Sequence, residues 1–444
     1  MTKINDVDST DLNTSTVEKS TRRDFMKKTA LYSVGAITAA GAMTTVNASD
    51  DLAIVEEAEW GVKLGKKVTA DGGYGVPSPY EHNVVRRATE ILSSGDMYAS
   101  VAMCPIQDLN GIITPNGLFF NRSHGGTAIV DPNKYRLMIH GMVDRPIVLT
   151  LDELKKYPRE SRIHFIECPA NGSAEWRAPQ FNSIQFAKGM MSSAEWTGVK
   201  LKTILDDLGV KPEAKWMLCE GSDNSEMGRT IPMEKVLDDA MLVYAQNGEA
   251  LRPDQGYPVR LLVPGWEGNL NVKWVKRLEF SDKPWHAKEE TSKYTMTQPD
   301  GRAIRFFWPM EVNSIITSPC PEKGWENLKI GDLVEIEGLA WTGQGTVKGV
   351  DISFDGGKSY VEASLKGLVL PKSWTRFSYM YRWAGKEIYL ASRAYDDSGN
   401  IQPTIDEETS VVGVESVYHR NPICTWEVKS NGKVNNVQFR KHKA

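Results

Sequence analysis

The last third of the chain leaves the fewest folds open to it. Past Pro299, apolar and polar residues alternate over 315–319, 333–341, 347–354, 360–365 and 388–395, and turn residues separate the runs. A period of two sends successive side chains to opposite faces, so each run reads as a strand with one buried side. Asp355-Gly356-Gly357 supplies a hairpin turn between two of them. Short strands of this kind bury their apolar faces by stacking two sheets, so 301–428 is expected to form a sandwich of about seven strands. The basic stretch 429–444 reads as a frayed tail.

Upstream the pattern is mixed, which makes the whole chain α+β. Runs at 135–143, 147–151, 215–219 and 258–264 read as strands, while 152–156, 202–208 and 233–237 read as short helices, the second stopped by Gly209. Within an N-terminal extension, 49–110, residues 81–92 read as a short helix with Arg86 and Arg87 on its solvated face. The stretch 161–177, SRIHFIECPANGSAEWR, is the candidate centre of the chemistry. Its apolar run is broken at once by Pro169, Asn171 and Gly172, which leaves Cys168 at a strand end, where rigid backbone can hold a thiol toward a ligand. Plain burial is the alternative for a lone cysteine, and Cys219 also closes an apolar run before a glycine. Asn121, Arg122 and His124 cluster after two phenylalanines; an arginine fork suits a tetrahedral oxyanion, although an Arg beside a His is more often a surface pair. The turn 264–268 is either a plain loop or backbone brought close to a ligand, with Arg260 and Lys273 supplying positive charge.

Five cysteines, at 104, 168, 219, 320 and 424, form no CxxC pair. The odd number leaves at least one thiol unpaired, and the absence of CxxCH excludes covalently attached c-type haem in this chain. A net charge of −4 argues against general binding to nucleic acid. Ser20-Thr21-Arg22-Arg23-Asp24-Phe25-Met26-Lys27 precedes an uncharged stretch rich in Ala, Gly and Thr, with Val46-Asn47-Ala48 as a small-residue cleavage site. Residues 1–48 therefore resemble a twin-arginine export signal, and the run is too short and glycine-rich to span a bilayer well. The implied destination is the periplasm, with no membrane span in the mature chain. Removing 1–48 takes away six Lys/Arg and five Asp/Glu, so the net charge moves from −4 to −5.

Phe119-Phe120-Asn121-Arg122-Ser123-His124, Glu167-Cys168 with Asn171-Gly172, the run 258–264 with Gly265 and Gly268, and Asn271-Val272-Lys273-Trp274 resemble successive signatures of the sulfite oxidase family of molybdenum enzymes. Gly338-Leu339-Ala340-Trp341 and Ser353-Phe354-Asp355-Gly356-Gly357 resemble that family's immunoglobulin-like dimerisation domain. The likeness covers about 105–427; residues 107–114 and Ser416-Val417-Tyr418-His419 are most similar to the SoxC-type branch, the molybdenum subunits of sulfane dehydrogenases. The resemblance implies a molybdopterin-binding catalytic domain over 111–300 and an immunoglobulin-like sandwich over 301–428. It implies molybdenum with molybdopterin, and Cys168 as the protein ligand, a soft thiolate suited to such a metal. Phe120, Asn121, Arg122, Ser123, His124, Asp223, Gln255, Arg260, Asn271, Val272 and Lys273 are implied around the pterin and its phosphate. Arg122 is the matched anion-binding arginine, and Tyr294, twenty residues past Trp274, the matched active-site tyrosine. Three positions depart. Ser123 stands where the family commonly has Asn, Gln255 where it has His, and Val412 where sulfite oxidases carry a second substrate arginine just before Gly413.

The implied activity is oxidation of sulfane or sulfite-level sulfur, as in thiosulfate oxidation by the Sox system. The substrate is a sulfur carrier protein or a small sulfur oxyanion, and the electrons pass to a c-type cytochrome subunit. A homodimer, or a heterotetramer with the cytochrome, is the implied assembly. The alternatives are a free sulfite dehydrogenase, a sulfoxide reductase of the same superfamily and, from another class, a cofactor-free binding subunit. If residues 1–48 direct export, changing Arg22 and Arg23 together to Lys keeps the charge yet strands the precursor in the cytoplasm, as cell fractionation would record; normal periplasmic accumulation contradicts it.

Overall fold

The chain divides into two units, Met1–Val76 and Pro77–Ala444, and every strand and helix among the described residues belongs to the second. The computed structural model describes residues 74–90 and 97–440, so the expected signal, 1–48, and the first part of the extension, 49–73, lie outside the described residues. Short apolar runs punctuated by Gly and Pro favour strands, and among the described residues no helix exceeds eight residues. None is long and apolar enough to cross a membrane.

Glu160–Glu167, the strand that ends at the candidate cysteine, pairs along its whole length with Met191–Lys200. Met241–Gln246 lies on the far side of that partner, and Glu249–Ala250 and Arg260–Leu262 complete a five-stranded sheet. A second sheet runs in the order Ile147–Leu149, Leu137–Gly141, Val275–Ser281, Trp216–Gly221, Gly228–Pro232, with a parallel pair between Leu137–Gly141 and Val275–Ser281. Between the sheets packs Leu201–Leu208, which buries Leu201, Ile204, Leu205 and Leu208 on one stripe and ends at Gly209, whose φ of 72° only glycine adopts freely.

The fold corrects three sequence expectations. The described part of 81–92 does not form the expected helix: Arg87–Glu90 is a strand paired with Ser100–Met103, which also pairs with Asn121–Ser123, while 91 and 92 lie outside the described residues. All four residues of Arg87–Glu90 are exposed, so no apolar alternation marks it, and pairing overrides local preference. Met191–Lys200 is a ten-residue strand in a stretch where the sequence marked no element ahead of the helix at 202–208. Both its faces are largely buried, which erases the period of two. Over its described residues, 429–440, the tail is not frayed: Val434–Val437 is a strand paired with Thr425–Val428, and Asn436 donates to Glu175 at 2.9 Å.

The sandwich therefore has nine strands among the described residues. One sheet runs Asn313–Ser318, Leu333–Trp341, Thr375–Arg382, Ser364–Lys366; the other runs Val361–Glu362, Val347–Ser353, Ile388–Asp396, Thr425–Val428, Val434–Val437. Its core is continuous with the first catalytic sheet: Phe165, Ile166 and Trp196 belong to the same apolar cluster as Ile315, Leu339, Trp341 and Trp426. Trp341 donates its indole N–H to Glu167 at 2.6 Å, and Met310 N–H donates to Gly265 O at 2.9 Å. At this seam two backbones touch: a Cβ on Gly343 would lie 2.0 Å from Gly265 O. Gly343→Ala is expected to cost about 2 kcal/mol or more of stability through that overlap, read as a lowered denaturant midpoint; an unchanged midpoint would show that the seam yields.

Candidate active site

Cys168 follows the last residue of Glu160–Glu167, and its backbone is tied on both sides: its N–H donates to Met190 O and its carbonyl accepts from Asn171 N–H, each at 2.9 Å. Asn171 then bridges Glu167 and Met190 through its side-chain amide. Gly268 presses on the same strand end, since a Cβ there would stand 2.7 Å from Glu167 O. Three close contacts thus aim one thiol. Burial pushes that thiol up to about 11, against a hydrogen bond from Ala170 and the charge of Arg122, so it keeps its proton until a soft cation replaces it.

The residues that the resemblance implies at the site line one cavity of about 630 Å³: Phe120, Asn121, Arg122, Ser123, His124, Cys168, Asp223, Gln255, Arg260, Asn271, Val272, Lys273 and Tyr294. Arg122, Arg260 and Lys273 face a single lining carboxylate, Asp223, which is already hydrogen-bonded by Ser225 at 2.9 Å. Arg260 is buried; it donates to the backbone and side chain of Gln255 and to Asn271 O, and its Nε has no partner among the described residues. Asn269 Oδ1, in the same wall, is likewise buried without a partner. Desolvation lowers the Arg260 guanidinium to about 9, and it lowers Lys273 to about 7 with Arg260 adding to the effect. Lys273 donates to Asn121 Oδ1 at 2.6 Å and Asp254 O at 3.0 Å. Buried cations and orphaned polar atoms of both kinds suit an anionic, hydrogen-bonding ligand.

Several lining residues act on their neighbours rather than on the cavity. Gln255 holds Arg260 through its carbonyl oxygen and Phe120 O through its amide, and Ser123 donates to Gly126 O. Asn271 spends its side chain on Val263 N–H and Glu267 O, while Val272 is an apolar wall.

Arg122, His124, Cys168 and Tyr294 also line a second, outer cavity of about 1040 Å³, together with Lys288, Glu289, Lys293 and Tyr418. These four residues are the partition between the two spaces. Tyr294 hydrogen-bonds His124 Nε2 at 2.8 Å, and burial followed by Arg122 drives His124 down to about 3. The imidazole is neutral, and Tyr294 keeps its proton because burial raises it far above its usual range. Arg122 donates to Ser123 O and remains open to both cavities.

Sequence reasoning missed the charges behind this partition. Arg229, buried, lies 4.9 Å over the Tyr294 ring and 3.6 Å from both Glu267 and Glu290. Glu267 in turn meets His419 Nε2 at 2.9 Å. No local pattern links residues so far apart in the chain; only their charged character inside otherwise apolar runs marked them. Val412, by contrast, is buried against Trp176 and Ile405 and lines neither cavity.

Residues 124–289 match the oxidoreductase molybdopterin binding domain, and residues 305–426 match the Mo-co oxidoreductase dimerisation domain. Mitochondrial sulfite oxidase of Rattus norvegicus is 30% identical over 338 residues, which are 69% of this chain but 61% of that protein. Sulfite oxidase of Gallus gallus is 30% identical over 316 residues, 66% of this chain and 68% of that protein. The crystal structure of the sulfane dehydrogenase SoxCD from Paracoccus pantotrophus superposes with a TM-score of 0.84 at 45% identity, covering 87% of this chain and 99% of that one.

The depressed Lys273 gives a test that needs no cofactor. An anion beside it restores its proton, so sulfate binding to the cofactor-free protein is expected to weaken as pH rises through about 7, with proton uptake visible by calorimetry in buffers of different ionisation heat. Lys273→Met should bind sulfate more weakly and lose that dependence. Wild-type binding that does not change with pH would remove Lys273 from the anion site.

Proposed function

The chain belongs to the sulfite oxidase family of molybdenum oxidoreductases, and from that premise we propose that it oxidises sulfane sulfur carried by a partner protein and passes the electrons to a c-type cytochrome. The partition between the two cavities carries this reading, because one thiol, one guanidinium and one phenol face a donor-lined interior on one side and an open vestibule on the other.

The residues present fit a molybdenum–molybdopterin group. Arg260 Nε and Asn269 Oδ1, orphaned and buried, answer a phosphate and a pterin edge, Lys273 adds charge, and Cys168 offers the soft ligand. When bound, such a group would supply a two-electron couple and oxygen-transfer chemistry with water as the source of oxygen. The chain's own residues do the rest. Arg122 holds the oxyanion of substrate and product by charge-assisted hydrogen bonds. Tyr294, fixed by neutral His124, orients that oxyanion without bringing a second charge.

Carrier-bound sulfur is favoured over free sulfite by what the sandwich contributes. Among the described residues, Val417 and Tyr418 are its only side chains in the vestibule, and Val412 is turned into an apolar cluster, so no second guanidinium there clamps a small dianion. Lys288 and Lys293, both exposed, supply charge at the mouth, where an acidic partner could be steered. Two electrons leave per turnover, and the chain's lack of CxxCH calls for an external one-electron acceptor. The dimerisation domain and the likeness to SoxCD support a homodimer or an assembly with that cytochrome. Export to the periplasm by Arg22 and Arg23 completes the proposal.

Steady-state turnover distinguishes the substrates. With cytochrome c as acceptor, kcat/KM for a sulfane-loaded carrier protein is expected to exceed that for free sulfite by at least about tenfold, equivalent to about 1.4 kcal/mol of differential transition-state binding. Equal or better turnover of sulfite alone would make the protein a sulfite dehydrogenase. Cys168→Ser should fold but show no turnover with either. Lys288→Ala with Lys293→Ala should raise KM for the carrier and flatten its salt dependence.

A further inference from the structure

We propose that His419 is a positioning residue for Cys168, a buried imidazolium that clamps the turn after the thiol between one carboxylate of the catalytic domain and one at the entrance to the sandwich. His419 is fully buried and holds a φ of 58°, a conformation uncommon for a residue with a side chain. Its Nε2 lies 2.9 Å from Glu267 and its Nδ1 lies 2.8 Å from Glu311. Its backbone N–H donates to Pro169 O at 2.7 Å, one residue past Cys168. Glu267 directly precedes the Gly268–Leu270 turn that presses on the Cys168 strand end. His419 therefore grips the thiol's turn from both sides: through Pro169, and through the glycine turn behind it.

The charges alternate along this line. Glu311, His419, Glu267, Arg229 and Glu290 present acidic, basic, acidic, basic and acidic groups in order, and Arg229, the fourth of them, lies against the Tyr294 ring. Glu167 and Arg420 line a small pocket with His419 and Glu311, and Glu408, on Ile405–Val412, is a further titratable neighbour; burial and then Glu311 raise its carboxyl to about 7, with His419 opposing. Burial alone would discharge His419, but Glu311 and Glu267 outweigh it and hold the imidazolium up to about 10. Because that value lies above the free imidazole's, the clamp is complete below the free value and is lost as pH rises through about 10. Tyr418, the neighbour of His419, packs at a tilt with its ring 5.2 Å from that of Tyr294, so the clamp also fixes the vestibule wall.

This inference rests on the reading of Cys168 as the functional thiol, and its test is made independent of the metal. In cofactor-free protein, His419→Gln is expected to raise the alkylation rate of Cys168 by iodoacetamide on the order of tenfold, a loosening worth about 1.4 kcal/mol. Peptide mass spectrometry should find fully buried Cys219 unchanged, whereas general destabilisation would expose both. Glu311→Gln removes a half-exposed carboxylate and so preserves folding; its Cys168 should also alkylate faster, and the alkaline loss of turnover in the loaded enzyme should move to lower pH. Unchanged Cys168 reactivity in both variants, or equal gains at Cys168 and Cys219, would overturn the clamp. The metal assignment falls separately, if Cys168→Ser retains molybdenum and turnover.

Discussion

Holding cations away from water without carboxylate partners is the constraint on which this structure turns. Arg260 and Lys273 both lose proton affinity to burial, and Asp254, the carboxylate that opposes this at both, is itself paired with Arg86 at 2.6 Å. Desolvating a charge costs several kcal/mol unless something pairs with it. The fold meets part of that cost with neutral dipoles, the oxygens of Gln255, Asn271 and Asn121 and the backbone carbonyl of Asp254. The remainder awaits an anion, which explains why much of the cavity wall comes from strand ends and tight turns. Only there do backbone carbonyls point inward instead of pairing within a sheet.

The sandwich belongs to the same physical object as the catalytic sheets. Trp341 reaches across to Glu167, and Gly343 lies against Gly265 with no room for a methyl group. The Cys168 turn is therefore held by elements more than 150 residues apart in sequence, Glu267 and His419 among them. Apart from Val417 and Tyr418, which line the vestibule themselves, substitutions in the sandwich reach the thiol through this seam.

The same physics governs how much was legible in the sequence. Cys168 was readable because Pro169 and Gly172 break a strand on either side of a turn, and Arg122, Arg260 and Lys273 because cations beside apolar runs demand a reason. The sandwich was readable where one face of a strand meets water. Met191–Lys200 was not, since burial on both sides removes alternation, and Arg87–Glu90 was not, since exposure on both sides does the same. Val434–Val437 looked like a basic tail because its neighbours are charged, while its own pairing with Thr425–Val428 is set by register. Arg229 escaped, and His419 was seen only as part of a motif and not for its partners, because a charge network is a property of folded proximity and no spacing in the chain encodes it.

The strand that overturned the expectation of a frayed tail also imposes an order on biosynthesis. Asn436, Gln438 and Arg440 hydrogen-bond Glu175, Phe181 and Trp176, residues that come after the Cys168 turn by only a few positions. A chain still emerging from the ribosome lacks these latches until every other described element has been made. The segment just past the thiol's turn thus cannot gain these latches before the last described strand of the sandwich exists, so its fastening comes after the sandwich rather than with the sheets that surround it.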